Sequence, residues 1–206
     1  MAGKNLLIVV SAPSGAGKTT ICKKLLQTTS GLIFSISMTT RKPRDNEIDG
    51  RDYSFVSVDE FKERIKKGDF LEWAKVYDDY YGTPKKILED SLLFGMDMLL
   101  DIDGQGAMNI KKEYKDRAVL IFIAPPFIED LKTRLSNRMT DTSEEIEKRF
   151  LLAKEELKNI PKYDYCVTNE DVGVTVGKLK SIITAEKSKV KRIGRDLLKK
   201  LEVENV

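Results

Sequence analysis

The sequence predicts an α/β fold, a five-stranded parallel sheet with helices on both faces. Three observations point to it. Continuous apolar runs of strand length recur along the 206 residues without polar alternation, as strands covered on both faces require. Stretches of helical periodicity separate them, the rhythm of parallel strands joined by crossovers. A glycine-bearing turn joins the first such strand to the first helix, and sheets of this kind bind ligands beyond the carboxyl ends of their strands.

The first strand is Leu6-Leu7-Ile8-Val9-Val10, and Ile21, Leu25 and Leu26 give the segment beyond it one apolar helical face. Between them runs Ser11-Ala12-Pro13-Ser14-Gly15-Ala16-Gly17-Lys18-Thr19-Thr20. It matches the phosphate-binding pattern GxxxxGK(S/T) except that Ala12 stands at the first glycine. Gly15 and Gly17 let the chain turn tightly, so that N–H groups converge on a phosphate at the positive end of the helix. Ser14, Gly15, Ala16, Gly17, Lys18, Thr19 and Thr20 are therefore expected to form a phosphate cradle. Lys18 aims a full charge at the outer phosphates, and the Thr19 hydroxyl is placed to ligate Mg²⁺.

Leu32 to Ser37 reads as the second strand, running into the polar segment Met38-Thr39-Thr40-Arg41-Lys42-Pro43-Arg44. Asp49-Gly50 signals a hairpin turn before the alternating Tyr53-Ser54-Phe55-Val56. Ser57 with Glu60 makes a capping box and Val56 with Phe61 a hydrophobic staple, so a short helix is expected from Val58. Residues 35–94 interrupt the strand-helix rhythm and read as a small inserted subdomain. Within it, Thr83 as cap and Pro84 at the first helical position open a helix that Gly95 ends.

The next strand, Met98 to Asp103, ends in carboxylates, and Gly104-Gln105-Gly106 leads into a helix. Asp101 closes an apolar strand, where a carboxylate serving Mg²⁺ directly or through water belongs. Asp103 points to the same side of an extended chain, and it suits a helix N-cap equally well. Ala118 to Ala124 is a fully apolar strand stopped by Pro125-Pro126. Ile128 to Asn137 is helical in pattern, and Thr142 with Glu145 forms a second capping box opening a helix to about Asn159. Tyr165 to Thr168 is the last strand, and Val172 to about Leu201 is mostly helical.

Composition narrows the chemistry. Charged residues make up 33% and hydrophobic ones 41%, the balance of a soluble globular chain. A net charge of +3 is too small to imply a nucleic-acid partner. No apolar run suits a membrane span or a signal peptide, so no membrane partner and a cytoplasmic location are expected. Cys22 and Cys166 read as buried small hydrophobes and not as a disulfide. Histidine is absent, which excludes imidazole acid-base catalysis and His-containing metal sites.

The chain resembles the guanylate kinases, which transfer the γ-phosphoryl of ATP to GMP. The resemblance rests on the phosphate loop, Ser37 to Arg44, Gly50-Arg51-Asp52-Tyr53, Phe70-Leu71-Glu72-Trp73-Ala74, Tyr80-Tyr81-Gly82-Thr83 and Leu100 to Gly106. It continues through Ile123-Ala124-Pro125-Pro126 and the arginines at 134, 138 and 149 to Asn169, covering about residues 6 to 185. It implies a P-loop NTPase-type sheet with an inserted nucleotide-binding subdomain and a helical lid. The divisions are 1–34 and 95–133 for the core, 35–94 for the GMP-binding subdomain, 134–150 for the lid, and 151–206 for the rest of the core with a basic helical tail.

The resemblance implies that Glu72 accepts from guanine N1-H and N2-H₂, helped by Ser37, Thr83 and Asp103. Taken alone, Glu72 beside Trp73 would read as a surface charge next to a core aromatic. Arg41 and Arg44 are implied to grip the GMP phosphate with Tyr53 and Tyr81, the guanidinium fork suiting phosphate oxygens. Arg134, Arg138 and Arg149 are implied to reach the transferring phosphates from the lid, and Asn169 to read adenine through its amide. The catalytic set is thus Lys18, Arg41, Arg134, Arg138 and Arg149, with Thr19 and Asp101 for the metal. The acceptor is a phosphate monoester whose second pKa is about 6, so it is already largely ionised at neutral pH and needs no general base. A non-catalytic guanylate kinase-like binding module, or a kinase of another small phosphorylated acceptor, is the alternative. Monomer and homodimer are both open, and the basic residues from Lys187 to Lys200 read as a solvated helix face.

Overall fold

The computed structural model describes residues 5–44, 47–76, 78–136 and 143–201. In chain order, β1 (Leu7–Ser11), α1 (Lys18–Gln27) and β2 (Leu32–Phe34) begin the fold. Then come β3 (Met38–Thr39), β4 (Ser54–Phe55), α2 (Val58–Lys67), β5 (Phe70–Val76), β6 (Asp79–Pro84) and α3 (Lys85–Leu93). The chain returns through β7 (Asp97–Asp101), α4 (Gly104–Tyr114), β8 (Ala118–Ala124), α5 (Ile128–Ser136), α6 (Ser143–Leu157) and β9 (Tyr165–Thr168). It ends in α7 (Val172–Lys187) and α8 (Val190–Lys200).

The expected parallel sheet has the order β2-β7-β1-β8-β9. Its central strand β1 is buried along its whole length, and successive residues enter opposite layers. Ile8 and Val10 join Ile21, Leu25, Leu179 and Ile183 under α1 and α7. Leu7 and Val9 join Leu100, Ala107 and Ile110 under α4. Burying each such aliphatic side chain is worth about 1.5–3 kcal/mol, so this two-sided packing fixes the carboxyl end of β1 and the loop that leaves it. The connection from β1 runs to one side of the sheet while that from β7 crosses to the other, which opens a crevice at that end.

The segment between β2 and β7 builds a second sheet, β4-β3-β6-β5, with its own small core. Phe61 stacks between Phe70 (centroids 4.5 Å apart) and Tyr80 (5.4 Å), with Met38 and Val56 alongside. Gly82 is required here, because a Cβ would come within 2.8 Å of the Phe70 ring and 3.0 Å of Phe61. Ser57 Oγ accepts from Glu60 N–H at 3.1 Å, and α2 starts at Val58 as its capping box predicts.

Several elements depart from expectation. β2 ends at Phe34, since Ser35 N–H makes the last bond to Leu99 O and the chain then leaves for the second sheet. Asp49-Gly50 turns the chain without making a hairpin, because β3 and β4 pair in parallel. Thr83 and Pro84 end β6 and do not open α3, the Thr83 hydroxyl being committed elsewhere. The helix after Val172 breaks at Ser188, and buried Glu186 accepts from both Tyr165 and Lys189 at this joint. Cys22 is buried as expected, whereas Cys166 is exposed because β9 is an edge strand with one open face. Thr142 of the second capping box lies outside the described residues. Among the described residues no helix is long and apolar enough to cross a membrane.

Candidate active site

The loop after β1 takes the shape its glycines allow. Gly15 and Gly17 sit at φ 89° and 90°, a left-handed conformation that side chains resist, and Ala16 N–H closes a turn on Pro13 O at 3.1 Å. Gly17 is the N-cap of α1, so the loop's amides sit at the positive end of that helix. Thr19 and Thr20 are exposed in its first turn.

Asn169 lies beneath this loop. It is 5% exposed, its Nδ2 donates to Ala16 O at 2.7 Å, and its Oδ1 accepts from Thr175 Oγ1 at 3.2 Å. A Cβ on Gly17 would lie 2.8 Å from the same Nδ2. One N–H and one lone pair of the amide are thus engaged inside the protein, so Asn169 braces the phosphate loop from beneath, and a primary amide keeps a second N–H and a second lone pair beyond these bonds.

Lys18 Nζ lies 2.5 Å from Asp101 Oδ1 at the end of β7 and 3.4 Å from Ile102 O. Burial alone would depress the ammonium, but Asp101 holds it above the ordinary lysine range, so Lys18 stays charged. Glu156, on the last turn of α6, faces this corner beside Ser14, and burial pushes its carboxyl up. Residues Phe150 and Ala153 of the same helix pack on Ala16.

The second cluster is built where β5, β6 and α4 meet. Thr83 Oγ1 donates to Glu72 Oε1 at 2.7 Å, and Asp103 N-caps α4 by accepting Gly106 N–H at 2.8 Å. Both carboxylates crowd the start of α4, since a Cβ on Gly106 would lie 2.6 Å from Glu72 Oε2 and 3.2 Å from Asp103 Oδ1. Burial, reinforced by the charge of Asp103 and opposed by the Thr83 bond, raises the Glu72 carboxyl to about 7. Glu72 is 7% exposed while its neighbour Trp73 is 41% exposed, the reverse of what the two residue types suggest in isolation.

Between the two clusters stands an aromatic and cationic group. The Arg41 guanidinium lies over the Tyr53 ring at 5.4 Å, and the Tyr53 and Tyr81 rings meet edge-on at 6.2 Å. Glu47 clamps Arg41 with two bonds of 2.9 Å and also accepts Arg44 N–H at 2.8 Å. A cavity of about 690 Å³ brings Thr19 and Asp101 together with Ser37, Arg44 and Tyr53. Arg41 and Tyr81 flank its Tyr53 wall, and the Glu72, Thr83 and Asp103 cluster lies outside its lining.

Sequence reasoning missed three participants. Glu47 orients the Arg41 guanidinium and ties down the Arg44 backbone, and its place among Asp45, Asp49 and Asp52 gave no signal that singled it out. Gly106 leaves the space that Glu72 fills. Lys23 of α1 donates to Asp52 at 3.0 Å, tying the first helix to the loop that carries Tyr53, and Asp52 also accepts Ile48 N–H. Of the three arginines expected in a lid, Arg149 lies half-buried on α6. Arg138 and the Arg134 side chain lie outside the described residues.

Comparison with known proteins gives concordant matches. A family model described as Guanylate kinase matches residues 4–186. The guanylate kinase of Clostridioides difficile (strain 630) is 49% identical over 201 residues, covering 98% of each chain. That of Caldanaerobacter subterraneus subsp. tengcongensis is 50% identical over 203 residues, again 98% of each. Among solved structures, the crystal structure of guanylate kinase from Anaplasma phagocytophilum superposes with a TM-score of 0.80 at 34% identity, over 95% of this chain and 94% of that one.

Proposed function

The chain belongs to the guanylate kinase family and phosphorylates GMP from ATP, and from that premise we infer how its side chains divide the work. The phosphate loop, residues 14 to 20, receives the triphosphate on main-chain N–H groups, and Lys18 turns from Asp101 to the outer phosphates. Glu72 accepts the N1-H and N2-H₂ of guanine, with Ser37, Thr83 and Asp103 around the base. Arg41, Arg44, Tyr53 and Tyr81 hold the acceptor phosphate. Residues 35–94 serve as the acceptor subdomain, residues 1–34, 95–133 and 151–206 as the core, and residues 134–150 as a lid. Arg134, Arg138 and Arg149 bring charge to the transferring group as that lid closes.

The observation that carries this reading is the buried Glu72 carboxylate, one oxygen fixed by Thr83 and unmatched by any cation among its described hydrogen-bond partners. Such a group is costly in an apolar subdomain unless a ligand supplies donors. Adenine lacks the paired donors of guanine and would leave the acid unsatisfied.

The residues fit a magnesium nucleotide. Among the described residues no three His, Cys, Asp or Glu side chains cluster to hold a metal alone. A divalent ion would rest on Thr19, on Asp101 and mainly on phosphate oxygens, as Mg²⁺ commonly does. When bound it neutralises charge on the phosphates in transfer. The protein's own part is alignment, with Lys18 and the arginines supplying fixed positive charge and no proton acceptor needed. Both cysteines are free thiols, which suits a cytoplasmic enzyme.

The test is to incubate the protein with ATP and Mg²⁺ and with GMP, AMP, UMP or a ribose phosphate, following ADP release. GMP is expected to exceed AMP by at least about 10³-fold in kcat/KM. Equal use of AMP would remove the role given to Glu72. A second expectation concerns Glu47. Its replacement by alanine frees Arg41 from its clamp and should raise KM for GMP about tenfold, roughly one charge-assisted bond's worth, with a smaller change in KM for ATP. An unchanged KM for GMP would show that Arg41 needs no such orientation.

A further inference from the structure

We propose that Lys23 and Asp52 form a strap through which α1, the helix behind the phosphate loop, positions the loop that carries Tyr53, so that filling one nucleotide site tightens the other. This deepens the reading above and rests on its division into a donor and an acceptor site. The inserted piece is held on both sides of the parallel sheet. On the side covered by α4 the hold is packing, with Leu71 of β5 in the layer that contains Leu100 and Ile110. On the opposite side, covered by α1, it is a charge pair, Lys23 Nζ donating to Asp52 Oδ1 at 3.0 Å.

Spacing along α1 gives this pair its reach. Lys23 stands four residues after Thr19, so both rise from one side of the helix, and both line the cavity of about 690 Å³ together with Asp52, Tyr53 and Asp101. Four residues of helix span about 6 Å and move as one body. Asp52 immediately precedes Tyr53 in a loop that is tied to itself. Asp52 N–H donates to Ile48 O at 3.0 Å, Asp52 Oδ2 accepts Ile48 N–H at 3.1 Å, and Gly50 N–H donates to Tyr53 O at 2.8 Å. A pull on the carboxylate is therefore passed to the tyrosine. Arg51 also bonds Asp52, but from within the same loop, so Lys23 is the described hydrogen-bond partner that links this carboxylate to the core. Lys23, the Ile48 amide and the Arg51 fork together hold Asp52 well below the usual carboxylate range, and the pair stays charged wherever an assay is run.

The experiment uses the full chain and the variants Lys23→Met, Lys23→Arg, Asp52→Asn and the double variant Lys23→Met with Asp52→Asn. Asparagine keeps an acceptor for Ile48 N–H and removes the charge. GMP is titrated calorimetrically with and without saturating ADP, which lacks the γ-phosphoryl and so reports binding without turnover. In the wild type, ADP is expected to tighten GMP about fivefold, the upper end of what one exposed ion pair supplies. Most of that gain should vanish on raising NaCl from about 0.05 M to about 0.5 M, since salt screens an exposed pair. Lys23→Met and Asp52→Asn should each bring the ratio of GMP affinities to within about twofold of one, the double variant should lose nothing further, and Lys23→Arg should keep the wild-type ratio. ADP alone should bind every variant as it binds the wild type. A ratio unchanged in Lys23→Met, losses that add in the double variant, or a wild-type ratio of one would overturn the proposal. Wild-type protein that binds no GMP under either condition would instead overturn the acceptor assigned above.

Discussion

Glu72→Gln is expected to lower kcat/KM for GMP by at least about 10³-fold and, at the same time, to make the fold more stable at pH 8. The loss follows from replacing an acceptor of two parallel donors by an amide that offers one acceptor and sets its NH₂ against a donor of guanine. The gain follows from linkage. Burial raises the Glu72 carboxyl from its ordinary 4.5 to about 7. Between those values the folded chain keeps a proton that the unfolded chain has lost, so this residue's contribution to stability declines as pH rises through that interval. Above it the ionised, buried carboxylate is a net cost, at most about 3 kcal/mol. Glutamine removes the ionisation and with it the cost. Urea unfolding at pH 5 and pH 8 reads this directly, the wild type losing ground at pH 8 relative to the variant. The same ionisation should appear in the wild-type kinetics as a rise of kcat/KM for GMP with pH through about 7, absent in Glu72→Gln. A flat profile, or a variant no more stable at pH 8, would show that Glu72 is not the ionising acceptor.

Lys18→Ala is expected to lower kcat by about 10³-fold, the scale found when one preorganised positive group is taken from a developing charge, and to raise KM for ATP as well. The ammonium is held charged by Asp101 at 2.5 Å before any nucleotide arrives, so it is available at every pH an assay can use. Lys18→Arg should not rescue the rate, because a planar fork cannot occupy the place of a compact point charge inside a tight loop. Single-turnover measurement separates the chemical step from release. Turnover within tenfold of wild type would move catalysis off this side chain.

How much of this could be read in advance varies with the physics involved. Strand β8 is legible to the residue, Ala118 to Ala124, because burial on both faces leaves an unbroken apolar run bounded by proline. The start of α2 is legible because a capping box is a local hydrogen-bond pattern. The phosphate loop is legible because its spacing is dictated by backbone geometry. The cluster of Glu72, Thr83 and Asp103 is not. Alternation along β5 turns Glu72 inward and Trp73 outward, and only the partner strand and α4 determine which side is which. Thr83 could serve as a helix cap or as a carboxylate's donor, and the contact with Glu72 decided it. The bond from Asn169 to the carbonyl of Ala16 was not legible either, because its partner is distant in sequence. The end of β2 was overrun because Ile36 prolongs the apolar pattern after the ladder has stopped.

The four-stranded sheet that carries Glu72, Tyr81 and Thr83 packs around its own nucleus of Met38, Phe61 and Phe70, and joins the layers that clasp β1 through Leu71. A cavity opened within that small nucleus is therefore expected to loosen the footing of Glu72, Tyr81 and Thr83 while the two layers around β1 keep most of their packing.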